Sequence, residues 1–127
     1  MARWLPPLLW AAVLLLASTD AFSSRETGGA LHSLLDRLPP EVFKALHFCI
    51  RKGGHLLAYG LLGALTWRAD RRVAVVLGFT AFIAVLDEWH QSMIPSRQGS
   101  GWDVLLDLAG AAVAVAVLRW WVGRRRR

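Results

Sequence analysis

Long apolar runs separated by short polar connections dominate this chain. The first run goes from Trp4 to Ala17, with a softer continuation to Phe22, and Arg3 precedes it. Pro6 and Pro7 lie in its first turns, where a missing amide donor is tolerated. A positive start and a short apolar stretch are also the ingredients of a signal peptide; the cleavage region is poor, with Thr19-Asp20-Ala21 as its candidate site. Trp4–Phe22 is close to the length needed to cross a bilayer, so a retained span is the preferred reading.

Residues 23–51 form the longest polar connection. Ser, Gly, Glu and Arg at 23–29 read as loop. Leu31, Leu34, Leu35 and Leu38 follow helical spacing until Pro39-Pro40 stops them. A second amphipathic piece begins at Glu41 with Val42, Phe43, Leu46 and Ile50. Both pieces are too polar to cross and are expected on the membrane surface or over the bundle. A second span reads from Gly53 to Trp67, followed by a basic loop with Arg68, Arg71 and Arg72. The third starts at Val73, stays apolar through Leu86, and meets Asp87-Glu88 while still helical. Pro95 through Gly101 is turn-rich, and the fourth span runs from Val104 to Val122, interrupted by Asp107. The expected architecture is all-α: a polytopic bundle of about four transmembrane helices. Its segments are 1–22, an outer connection 23–51, a three-span core 52–122 and a basic tail 123–127.

Composition supports the bilayer as solvent. Of 127 residues, 55% are hydrophobic, more than the polar surface of a soluble domain this small permits. Fifteen Lys and Arg against nine Asp and Glu give a net charge of +6. A basic chain can bind nucleic acid, but here the arginines flank apolar runs and close the chain at Arg124–Arg127, which is a topology and lipid-surface pattern. Arg3, the Arg68–Arg72 loop and the tail are expected on the cytoplasmic side, with 23–51 and 90–101 outside. Basic residues at Arg25, Arg37, Lys44, Arg51 and Lys52 in the outer connection weigh against this orientation. The single cysteine, Cys49, excludes an intramolecular disulfide and reads as a small apolar filler.

Polar residues then fall in an unusual place. Lys52, His55 and Tyr59 stand at i, i+3 and i+7 near the outer end of the second span. Asp87, Glu88 and Gln91 sit at the outer end of the third, and Arg97 follows in the outer loop. Asp103 and Asp107 open the fourth, with the small residues Gly110, Ala111 and Ala114 beyond them. A charge at the centre of a lipid-facing helix costs about 2.5–3.5 kcal/mol. These carboxylates therefore turn inward, and Lys52, Arg97 and His55 are their natural partners. Each residue alone has a plainer role: snorkelling for Lys52, packing for Tyr59, a turn contact for Gln91 and Arg97. The set taken together also fits a purely structural ion-pair network.

The blocks Lys52-x-x-His55-x-x-x-Tyr59, Asp87-Glu88-x-x-Gln91, Pro95-x-Arg97, Asp103 and Gly110 resemble, in order and spacing, those of the VanZ-like family over residues 50–115. Two positions depart: Arg51 stands where the family commonly has Asp, and Asp107 where it has Asn. The resemblance implies a bacterial inner-membrane protein of several spans. The family's namesake is associated with resistance to the glycopeptide teicoplanin, but most members lie outside resistance clusters, so that role is not transferred.

Two functions compete. One is binding, without chemistry, of an anionic envelope-lipid head group or a membrane protein partner, with Lys52 and Arg97 meeting the anion. The ligand-binding set is then Lys52, His55, Tyr59, Asp87, Glu88, Gln91, Arg97, Asp103 and Asp107. The other is a membrane-embedded enzyme on a lipid-linked substrate. There His55 or Glu88 acts as general base, Asp87 orients the base, and Lys52 and Arg97 stabilise negative charge. The Asp/Glu/His mixture would accept a divalent ion, but no familiar metal-ligand spacing appears, and neither metal nor cofactor is expected. A proton or ion path is disfavoured because the inner halves of the spans hold few ionisable residues.

Overall fold

The apolar runs become four helices. The computed structural model describes residues 2–18, 38–93 and 101–125. Helix α1 is Leu5–Ala17, preceded by a 3-10 turn over Ala2–Trp4; α2 is Pro40–Ala69; α3 is Val73–Ser92; α4 is Gly101–Arg125. The expected helical piece at 31–38, the extension of the first run to Phe22 and the loop at 95–100 lie outside the described residues.

Helix α1 has proline in its first turn and 13 residues, about 20 Å of helix. That is shorter than the ~30 Å apolar core of a bilayer. It packs into the bundle nonetheless. Ala11 joins Tyr59, Leu62, Ile83 and Ala84 in one core cluster. The Trp10 indole donates to the Ala58 carbonyl oxygen at 2.9 Å.

Helix α2 corrects the sequence reading. The piece starting at Glu41 is not a separate surface helix; it is the first part of one 30-residue helix that continues through Gly53 and Gly54 to Ala69. No proline interrupts the run after Pro40. The paired glycines lower helix propensity by about 1 kcal/mol each but remove no backbone hydrogen bond. The division expected at 51/52 thus falls inside a continuous rod of about 45 Å. None of residues 40–51 is buried.

Asp70 accepts hydrogen bonds from the Arg72 backbone and guanidinium, at 2.9 and 2.7 Å, which closes the turn between α2 and α3. Those bonds, the side-chain one above all, hold its carboxyl below the usual aspartate range.

The buried positions recur with helical period. On α3 they are Val76, Thr80, Ile83, Ala84, Asp87, Glu88 and Gln91; on α4, Asp103, Asp107, Gly110, Ala111 and Val115. Each stripe is apolar or small at one end and polar at the other. Helices α2 and α4 touch along glycines. A Cβ on Gly63 would lie 2.8 Å from both Cα and Cβ of Ala111, and one on Gly110 would lie 2.4 Å from the Leu56 carbonyl oxygen. Small residues bring the two backbones together.

Large apolar side chains face outward at the level where carboxylates are buried. Leu57, Phe82, Trp89, Leu105 and Val113 are exposed while Asp87, Asp103 and Asp107 are buried. Helices α3 and α4 are long and apolar enough to cross a membrane. Helix α1 is apolar but shorter, and α2 is long but carries Glu41, Lys44, Arg51 and Lys52 in its first half.

Candidate functional site: a buried acidic cluster between three helices

Helical period brings the polar residues together. Lys52, His55 and Tyr59 descend α2; Asp103 and Asp107 descend α4, which runs in the same direction. The Lys52 ammonium pairs with Asp103. One turn deeper, His55 Nδ1 meets Asp107 Oδ1 at 3.2 Å. One further turn down, the Tyr59 hydroxyl donates to Asp87 Oδ2 of α3 at 3.0 Å. The His55 and Tyr59 rings stack with centroids 6.2 Å apart and planes 11° from parallel. These contacts form a ladder along the α2 face, met by α4 at the top and α3 at the bottom.

Burial is nearly complete at Asp107 and on the lowest rung. Asp107 is fully buried, Asp87 is 3% exposed and Tyr59 is 1% exposed. Lys52 and His55 side chains retain 29% and 25% exposure, so the ladder reaches the surface from its upper end. Glu88 and Gln91 are buried on the same face of α3 as Asp87. Arg51, one of the departures from the family pattern, is exposed. Arg97 lies outside the described residues.

His55 takes one of its expected carboxylate partners, and the orienting role expected of Asp87 in the enzyme reading does not extend to His55. Asp107, not Asp87, contacts His55, because the turn Lys52–His55 runs alongside the turn Asp103–Asp107 on the parallel helix α4. Asp87 enters from α3 and takes Tyr59 instead. Sequence reading missed Gly63 and Trp10, which hold α4 and α1 against α2. For Gly63 the signal was small residues at 60 and 63, matching those singled out at 110, 111 and 114.

The charge balance is uneven. Four buried carboxylates, Asp87, Glu88, Asp103 and Asp107, share the region with Lys52 and with His55, which is charged only when protonated. Two buried oxygens, Asp87 Oδ1 and Asp107 Oδ2, have no hydrogen-bond partner among the described residues. A fully satisfied structural network would pair them, since a buried carboxylate without a partner costs several kcal/mol. The donor groups of His55, Asp87 and Asp107 all lie within 4.8 Å of one another. Chemically, the cluster can hold a cation or a group rich in N–H or O–H donors.

The fold and site thus define an all-helical bundle, apolar outside, with an acidic polar ladder buried at one end. The VanZ/LLP1 family model matches residues 4–122. The chain belongs to this family, and the match takes in α1 as well as the three helices that carry the ladder. No curated protein and no solved structure matches the chain.

Proposed function

We propose that this is a multi-pass protein of the bacterial inner membrane whose buried ladder binds the polar head of an anionic envelope lipid. Four crossings follow if α1 and the second half of α2 cross beside α3 and α4, with both termini cytoplasmic and the ladder near the outer surface. Exposed tryptophans favour this placement. Trp89 and Trp102 ring the ladder end, and Trp120 and Trp121 ring the other, as interfacial aromatic belts do. Arg124 and Arg125 stack on Trp120 and Trp121 at 4.2 and 3.8 Å, on the side assigned to the cytoplasm.

The observation that carries the binding reading is the pair of buried carboxylate oxygens that have no hydrogen-bond partner among the described residues, beneath a partly exposed lysine. Lys52 at the rim meets a phosphate while remaining paired with Asp103. The deeper carboxylates accept hydrogen bonds from hydroxyl or ammonium groups on the same head. A membrane protein partner could present the same chemistry.

A membrane-embedded enzyme is the second reading, and the His55–Asp107 contact favours it. A base oriented by a buried carboxylate is the usual arrangement for proton abstraction.

The test uses full-length protein in detergent, equilibrated with phosphatidylglycerol, phosphatidylethanolamine or phosphatidylcholine and analysed by native mass spectrometry. Binding predicts phosphatidylglycerol, the anionic lipid of the three, retained over the two zwitterionic lipids and weakened at least ~10-fold by Lys52→Ala with normal protein abundance. Equal retention of all three by wild type and variant defeats the head-group reading. A lipid consumed over time, with loss on His55→Ala, selects the enzyme.

A further inference from the structure

Three side chains from three helices converge where α2, α3 and α4 meet: His55, Asp87 and Asp107. Their donor atoms lie within 4.8 Å of one another. Neighbouring ligands on one ion at about 2.1 Å stand closer than that, so the widest pair closes by up to about 1.5 Å when all three share one coordination sphere. The 3.2 Å separation of His55 Nδ1 and Asp107 Oδ1 already falls in the range of two neighbouring ligands. Such edges measure about 3.0–3.4 Å for octahedral and tetrahedral sites.

The second observation is independent of this spacing. Asp107 is wholly buried and Asp87 is 97% buried (3% exposed), yet each keeps one oxygen, Oδ2 and Oδ1 respectively, without a hydrogen bond among the described residues. The other oxygen of Asp87, Oδ2, is anchored by the Tyr59 hydroxyl, a group outside the three. Anchoring one oxygen and leaving the other open is how an outer shell orients a metal-binding carboxylate. Lys52 is engaged above by Asp103 and does not neutralise either group.

We propose that His55, Asp87 and Asp107 bind one divalent cation, with Tyr59 as the positioning residue for Asp87. Imidazole nitrogen with carboxylate oxygen suits Zn²⁺ or Mn²⁺ better than Ca²⁺, which prefers oxygen throughout. Two aspartates balance the ion's charge inside the bundle. Three protein ligands leave at least one position open toward the rim. There a lipid phosphate or a water completes the shell, which explains how an acidic cluster receives an anion. This inference deepens the head-group reading and rests on the same cluster being a binding site.

The experiment measures metal and lipid separately. Full-length protein is purified in detergent without chelator, its metals are quantified, and it is then stripped with EDTA and titrated with ZnCl₂, MnCl₂ and MgCl₂ by calorimetry. The expected result is one Zn²⁺ or Mn²⁺ per chain, bound at least ~100-fold more weakly after His55→Ala or Asp107→Asn. Co²⁺ added to the stripped wild-type protein should give visible d–d absorption that Zn²⁺ displaces, a readout that needs no variant. Gly78→Ala, on an exposed face of α3 with nothing within 4 Å, should leave the Co²⁺ spectrum unchanged. No stoichiometric binding below ~100 µM overturns the proposal, as does binding unaffected by His55→Ala and Asp107→Asn in variants of normal helicity. Lipid retention that survives EDTA in protein that binds no metal overturns this inference and leaves the head-group reading standing. Metal bound without any lipid retention does the reverse.

Discussion

Gly110 is the most demanding position in the α2–α4 contact. A Cβ there would lie 2.4 Å from the Leu56 carbonyl oxygen, against 3.4 Å for ordinary contact. Both partners are backbone, so no rotamer change relieves the clash, and the helices must separate by about 1 Å. Overpacking of this kind costs about 1–3 kcal/mol. Alanine in place of glycine returns about 0.5–1 kcal/mol through helix propensity. Gly110→Ala should therefore destabilise the bundle by about 1 kcal/mol net. The local effect is larger than that figure implies. Gly110 lies one turn beyond Asp107, and Leu56 follows His55, so a 1 Å opening takes the 3.2 Å His55–Asp107 contact past hydrogen-bonding distance. Thermal unfolding in detergent, followed by helical circular dichroism, measures the first effect, and lipid retention measures the second. Gly63→Ala should behave similarly, since its Cβ meets Ala111 at 2.8 Å. Gly78 is exposed with nothing within 4 Å, so Gly78→Ala should melt at or slightly above the wild-type temperature. Gly110→Ala melting together with wild type and Gly78→Ala would refute the close approach.

Three further outcomes follow from other contacts. Tyr59→Phe removes the hydroxyl that serves buried Asp87 and should lower stability by about 1–2 kcal/mol; an unchanged melting curve counts against that bond. Lys52→Ala strands Asp103, and adding Asp103→Asn should restore much of the loss. A double-mutant cycle that proves additive, with no coupling near ~1 kcal/mol, excludes the ion pair as an energetic contact. A reporter fused after Arg127 should read cytoplasmic and one inserted between Met93 and Gly101 external; the opposite pattern inverts the proposed orientation.

Some elements were readable from residue order because local chemistry decides them. Helix α3 begins at Val73, as the basic turn before it implied. The gathering of the polar residues was also readable, because carboxylates on apolar helices must turn away from lipid. Other features depend on how helices rotate against one another, which a single chain does not encode locally. The choice of Asp107 over Asp87 beside His55 is of this kind. So is the role of Gly63, whose need for a bare Cα exists only once Ala111 faces it. Helix α4 begins at Gly101, a turn before the apolar run. Asp103 in that first turn faces the favourable end of the helix dipole and the Lys52 ammonium. The unbroken α2 was misread because its first half is amphipathic and its second half apolar, a change of surroundings rather than of backbone.

That continuity gives α2 a mechanical character. With the Gly63–Ala111 approach taken as the pivot, Pro40 lies 23 residues away, about 35 Å, and His55 about 12 Å. Tilting α2 as a stiff rod moves the far tip about three times as far as the imidazole. A 3 Å displacement at Pro40 thus carries His55 by about 1 Å, the same increment that separates contact from no contact with Asp107.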